Sequence, residues 1–381
     1  MNKFIFKEKD LIFNNISLIL IIPLLLYKSI IFIKEPRIWA EEGAVYLQSV
    51  LNNGFISIFQ SHQGYFSSIP NVTLYVSTLF NYKYIPYFTF IVSFIFWIIL
   101  FIVINNINGL FKKKYLLKFY LSIGIFFILN YYQEIFMNTI NLQFITPLIL
   151  FGITLYDFRS LNNFTLFLFF ILSLICLTNG VLGIFFLPLI LYNFFSLKKY
   201  TYIILILFTC LTTYFIIPYF TPETSNSFGI ITRIKNNIHN FSLKRGFINF
   251  LVRFISLFSI VFFLINIRLK KWFLSYIFLL ISSLIIFIDL TKYNSFGFSY
   301  RYLSLIFSLF YMIIFIYINS VFYNKNIFTL IFVFCTLFFA RTFFANDYSY
   351  CNECNKWSDE YIKLYNHNDA NIHPLGWKVV K

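Results

Sequence analysis

Two adjacent carboxylates, Glu41 and Glu42, stand in the stretch Pro36-Arg37-Ile38-Trp39-Ala40-Glu41-Glu42-Gly43, directly after a long apolar run. The residues that follow, 44–51, carry an amphipathic pattern that stops at Asn52-Asn53-Gly54, so the acids fall in the first turn of a short helix. Neighbouring helical residues point about 100° apart, and the pair therefore cannot share one site equally. Two readings of these acids stand side by side. In one they complement the helix dipole or pair with Arg37. In the other, one carboxylate is a general base that takes the proton from an acceptor hydroxyl. Glu134, in Tyr132-Gln133-Glu134, is a further acid that reads either as part of that chemistry or as a solvated loop charge.

Groups that could hold a substrate lie elsewhere in the chain. Arg301, between Tyr300 and Tyr302, opens an apolar run, and its guanidinium could fork onto phosphate oxygens. The same residue could instead snorkel between interfacial tyrosines. Arg341 lies one turn inside the end of another apolar run, where a charge is costly without a partner. Arg233, Lys235, Lys244 and Arg245 are further candidate cations. Asn141, Gln143 and Asn179 sit near the ends of apolar runs, where they could contact sugar hydroxyls or bond between helices.

The elements that must position these groups are apolar helices. The 381 residues are 60% hydrophobic, 23% aromatic and 12% charged, whereas a soluble domain carries roughly 25% charged residues. Mean hydropathy is +0.77. Runs at 11–33, 84–104, 162–178, 200–220, 246–266, 272–290 and 302–323 are apolar over most of their length, and a bilayer core needs about 20 helical residues. Lipid leaves no partner for open backbone groups, and the runs do not alternate as barrel strands would. With shorter runs near 115–130, 139–156, 180–195 and 327–344, the expectation is an all-α, polytopic membrane protein with about eleven spans. The first run is too long for a cleavable signal core and reads as a signal anchor or first span.

Basic residues give the expected orientation. Lys3, Lys7 and Lys9 precede the first run; Lys112 to Lys114, Arg159, Lys198-Lys199, Arg268, Lys270-Lys271 and Lys325 occupy every second loop. The positive-inside tendency then puts the N-terminus in the cytoplasm. It puts loops 34–70 and 221–245 and the tail 346–381 outside, with residues 1–345 forming the membrane domain. The net charge of +16 follows from these loops and calls for no nucleic acid. The 56 Phe and 28 Tyr read as compositional bias rather than as binding surface.

Cys351-Asn352-Glu353-Cys354 with His367 and His373 has the spacing C-x2-C-x12-H-x5-H, which formally fits a zinc template. A tail outside the cell favours a Cys351–Cys354 disulfide, then free thiols, with zinc last. No metal site is assigned, and no cofactor is required, although a divalent metal is compatible with the sequence. Trp377, with Pro374 and Gly376, could dock the tail over the outer face.

Trp39-Ala40-Glu41-Glu42-Gly43, followed by Gly54, Gly64-Tyr65 and Pro70, resembles the first outer loop of bacterial GT-C glycosyltransferases. Weaker islands of resemblance lie at Asn141-Leu142-Gln143, Arg301-Tyr302 and Pro374-Leu375-Gly376-Trp377. The resemblance implies a sugar donor on a polyprenyl phosphate and a glycan or lipid-linked acceptor. It implies transfer at the outer face of the cytoplasmic membrane, with Glu42 as the base. Glu replaces the Asp usual at that position. It also implies a second acid at Glu134 and substrate contacts from Tyr65 and Tyr302. A flippase or polymerase of lipid-linked glycans is the alternative, and a flippase would be expected to carry more charge inside its spans.

Overall fold

The computed structural model describes residues 2–62, 65–107, 115–130, 136–156, 158–217, 304–313, 356–372 and 376–380, with isolated positions at 279, 283, 337 and 340. Helix dominates these residues, as expected of an all-α chain. The long helices are α1 (Asn2–Lys34), α4 (Ile85–Asn105) and α5 (Tyr115–Asn130). Shorter ones are α2 (Gln48–Asn53), α3 (Ser68–Thr78), α6 (Leu142–Thr154), α7 (Asn163–Leu177), α8 (Leu187–Ser196) and α9 (Tyr200–Leu211). Ser304–Ile313 (α10) and Trp357–Tyr365 (α11) follow among the described residues. Two small hairpins, β1–β2 (Ser61–His62 with Tyr65–Phe66) and β3–β4 (Ala370–Ile372 with Trp377–Val379), are both antiparallel.

The bundle is organised around α6. Every residue of that helix is buried, which fits its continuous apolar run and places its N-terminal end in the interior. α4 packs along α6 and brings Trp97 into a nest of rings. The Trp97 centroid lies 5.7 Å from Phe136, 6.1 Å from Phe101 and 6.4 Å from Phe126. The expected span 180–195 divides into a 3-10 segment, Val181–Phe186, and α8. Pro188 sits at the start of α8, where its missing N–H costs nothing. Gly183 packs so closely on the Cys176 carbonyl that a Cβ would lie 2.8 Å from it.

Polarity in the bundle is turned inside out. Outward faces expose Ile19, Leu26 and Ile30 of α1, Ile91 and Ile95 of α4, and Ile204 and Phe208 of α9. Ser29, Ser93, Ser122, Ser173, Ser304 and Ser308 are buried within. Among the described residues one helix, Tyr82–Asn105, is long and apolar enough to cross a membrane, and six apolar helices of 10–17 residues accompany it. The expected span 246–266 lies outside the described residues, and 272–290 and 327–344 lie outside them except at positions 279, 283, 337 and 340.

A second, smaller apolar core sits above the bundle. Ile38, Tyr46, Leu47 and Val50 from the loop after α1 pack there with Leu74, Ile85 and Ile140. The tail supplies Trp357, Leu364, Ala370, Ile372 and Val379 to the same cluster. The tail therefore docks on the loop that carries the two carboxylates. The expected anchor was Trp377, but that side chain is 36% exposed and Trp357 is 4% exposed. The Trp357 indole N–H donates to the Tyr82 carbonyl at 3.1 Å, and Tyr365 stacks on Tyr82 with centroids 4.8 Å apart. Trp377 opens a short strand on which it and Lys378 are exposed and Val379 is buried.

Candidate functional site at the junction of the two cores

Glu42 opens a π-helical turn, Glu42–Leu47, that runs on into α2 and ends at Gly54 with φ +54°. The amphipathic helix expected after the acids is present, with its first turn widened. The two acids have different environments. Glu41 is half-buried; Glu42 is 1% exposed.

The Glu42 carboxylate is gripped from the turn that enters α6. Thr139 donates its backbone N–H to Oε1 at 2.5 Å and its hydroxyl to the same oxygen at 2.6 Å. Trp39 offers its N–H to Oε2 at 3.4 Å. The turn is shaped for this by Met137, which takes φ +56°, uncommon for a residue with a side chain. Asn138 caps the next turn by accepting the Asn141 N–H at 2.9 Å. Glu42 thus lies against the N-terminal end of the central helix, where the dipole favours an anion. Burial opposes this and dominates, raising its pKa from 4.5 to about 7, with smaller opposing effects from the Thr139 and Trp39 hydrogen bonds. A carboxyl so poised exchanges its proton near neutrality, which suits a general base.

A wall of neutral polar groups continues from this point. Tyr46, one turn beyond Glu42, has a phenol held by Ser67 and well above its ordinary pKa through burial. Ser67 pairs in a β-bridge with Asn179. Around that bridge Ser68 N–H donates to the Thr178 carbonyl at 3.1 Å, and Gly180 N–H to the Phe66 carbonyl at 3.0 Å. Gly180 takes φ +81° and packs on Gln143, where a Cβ would meet Gln143 Cβ at 3.0 Å. The ring of His62 stands edge-on to Tyr46 at 4.6 Å, and burial lowers its pKa to about 4, leaving it neutral.

Two of these residues have open hydrogen-bonding capacity. Asn179 is fully buried and neither Oδ1 nor Nδ2 has a partner; the His62 Nε2 is likewise sealed and unpaired. Such groups cost about 1–3 kcal/mol each when nothing fills them.

Among the residues expected from sequence, Glu42, Asn141, Gln143 and Tyr65 lie on elements that converge here. Asn141 and Gln143 sit at the start of α6, and Tyr65 pairs with His62 across β1–β2. Glu134, Arg301, Tyr302, Arg341, Cys351 and Cys354 lie outside the described residues. Sequence reasoning missed Thr139, Tyr46, His62 and Ser67. It also passed over Lys28 of α1, a cation 9% exposed inside an otherwise apolar run, and a lone charge in such a run is itself a signal. No family model, no curated protein and no solved structure matches this chain.

Proposed function

We propose that this chain is a membrane glycosyltransferase of GT-C type. In this reading about eleven helices span the cytoplasmic membrane, with the N-terminus inside and the tail outside. A sugar passes from a polyprenyl-phosphate donor to a glycan or lipid-linked acceptor at the outer face. Glu42 takes the acceptor proton, and Glu41 and Glu134 are the accessory acids. Arg301 and Arg341 hold the donor phosphate.

The observation that carries the reading is the Glu42 carboxylate, sealed at the boundary between the bundle and its cap with a pKa of about 7. The apolar outward faces and buried serines support the membrane setting, because soluble monomers rarely expose contiguous apolar surface on this scale. The neutral polar wall beside Glu42 supports a hydroxyl-rich substrate.

Transfer is measured by giving the purified protein polyprenyl-phosphate sugars and candidate acceptors and following glycoside formation. Transfer supports the reading; lipid scrambling without transfer replaces it with a flippase. A finer check uses Thr139→Val. That variant removes the hydroxyl that steadies the Glu42 anion and keeps the backbone donor. The Glu42 pKa then rises above about 7, so the acid limb of kcat/KM moves to higher pH. The variant is impaired at neutrality and recovers in mild alkali. An unmoved limb separates Glu42 from the reaction.

A further inference from the structure

We propose that Asn179 and His62, on either side of the Tyr46–Ser67 contact, form a hydroxyl-reading subsite for a neutral saccharide beside Glu42. The proposal rests on the transferase reading and adds the ligand chemistry of the wall. Among the described residues, Asn179 is the one whose side chain has both hydrogen-bonding atoms buried and unpaired. A purely structural asparagine would be retained for bonds it makes, and this amide makes none. An amide offers acceptor and donor atoms together, the combination that reads neighbouring hydroxyls of a sugar ring. The neutral imidazole of His62 adds one further polar atom, Nε2, unpaired and enclosed.

The residues around these buried atoms suit a neutral ligand better than an anionic one. Tyr46, Ser67, Thr178, Gln143 and Asn179 are all uncharged, and the carboxylate at its edge would repel phosphate. The backbone is fixed for recognition. Asn179 is held between its bridge to Ser67 and Gly180 at φ +81°, while Tyr214 donates its phenol to the Gly180 carbonyl at 3.0 Å. Because the open atoms are sealed in the unliganded protein, binding displaces the Phe66–Ser68 backbone from Thr178 and Gly180. That displacement breaks the two backbone hydrogen bonds at 3.0 and 3.1 Å that make the bridge, and the Ser68–Thr178 hydroxyl contact at 2.9 Å.

The test uses the full chain in detergent with methyl glycosides of glucose, galactose, mannose and N-acetylglucosamine. Binding is read by saturation-transfer NMR and stability by thermal melting. At least one glycoside binds the wild type, and Glu42→Gln still binds it. Asn179→Leu melts no lower than wild type, because the lost amide had no bonds, yet its affinity falls about tenfold or more, the equivalent of one lost hydrogen bond. His62→Phe keeps the ring against Tyr46 and weakens binding without lowering Tm.

An Asn179→Leu protein that melts lower, or fails to fold, makes the amide structural and overturns the proposal. So does a leucine variant that binds as wild type. If no glycoside binds while Glu42-dependent transfer persists, the subsite falls and the transferase reading stands. Glycoside binding by a protein that transfers nothing leaves the subsite and removes the transferase.

Discussion

On the transferase reading Glu42→Gln is expected to abolish sugar transfer and, above neutral pH, to make the protein more stable. The first effect follows because an amide cannot take the proton of the acceptor hydroxyl. General-base catalysis contributes about 10²–10⁴-fold, so kcat falls by that order while saccharide binding persists. The second effect follows from linkage. The carboxyl has its ordinary pKa of 4.5 when unfolded and about 7 when folded. Between those values the folded protein keeps a proton that the unfolded chain releases. Folding therefore loses stability as pH rises through that window, and the full penalty of ~3 kcal/mol applies above it. Glutamine keeps an oxygen for the Thr139 N–H and hydroxyl but carries no charge to desolvate. The variant's Tm is thus flat where the wild type declines, with the two curves meeting below pH 4.5. Melting curves across pH, beside the transfer assay, check both effects. A glutamine variant that melts lower than wild type at pH 8, or still transfers sugar, shows that Glu42 is not the base.

What the sequence made legible is what depends on neighbours along the chain. The apolar run 84–104 is helix Ile85–Asn105, the run 162–178 is Asn163–Leu177, and the stop at Gly54 is a left-handed residue. These follow from apolar length, Pro86 near a helix start and a glycine at a helix end. The difference between Glu41 and Glu42 was also legible, since adjacent helical residues must face different surroundings. Their separate fates, one half-buried and one sealed, are the outcome of that offset of about 100°.

What was hidden depends on tertiary contact. Thr139 lies 97 residues from Glu42, and nothing local in Asn138-Thr139-Ile140 says that its N–H will meet a carboxylate. Ser67 and Asn179 are joined by a single bridge across a similarly long separation. The tail gives the clearest case. Trp357 has polar neighbours in sequence and Trp377 largely apolar ones, so local composition points to the wrong tryptophan as the buried one. The helix face of α11 decides it, placing Trp357, Glu360 and Leu364 inward at the three- and four-residue spacing of one stripe. Glu360 then accepts the Asn371 N–H at 2.7 Å and Lys363 at 2.7 Å, which ties α11 to β3.

If the chain is the membrane transferase proposed above, undocking that tail is expected to abolish transfer while leaving the bundle in the membrane. Trp357→Ala removes a buried indole, its bond to the Tyr82 carbonyl and its place among Ile38, Tyr46 and Ile372. Loss of a buried tryptophan costs about 3–5 kcal/mol, which falls on a small cluster rather than on the large bundle core. Ile372 lies against Gly43, with no room there for even a Cβ, and the Val380 N–H donates to Gln48 Oε1 at 2.5 Å. The tail therefore closes the outer side of the turn that begins at Glu42. Without it water reaches the carboxylate, desolvation weakens, and its pKa falls from about 7 toward 4.5. The expected result is a large loss of kcat, an acid limb displaced to lower pH in the residual activity, and faster proteolysis of residues 356–380, with the amount of membrane-inserted protein unchanged. The displaced limb distinguishes positioning from simple unfolding, because a bundle that merely melts more easily loses active molecules without altering the pH profile of those that remain. A Trp357→Ala protein with wild-type kcat and an unmoved limb would show that the tail packs on the loop without governing Glu42.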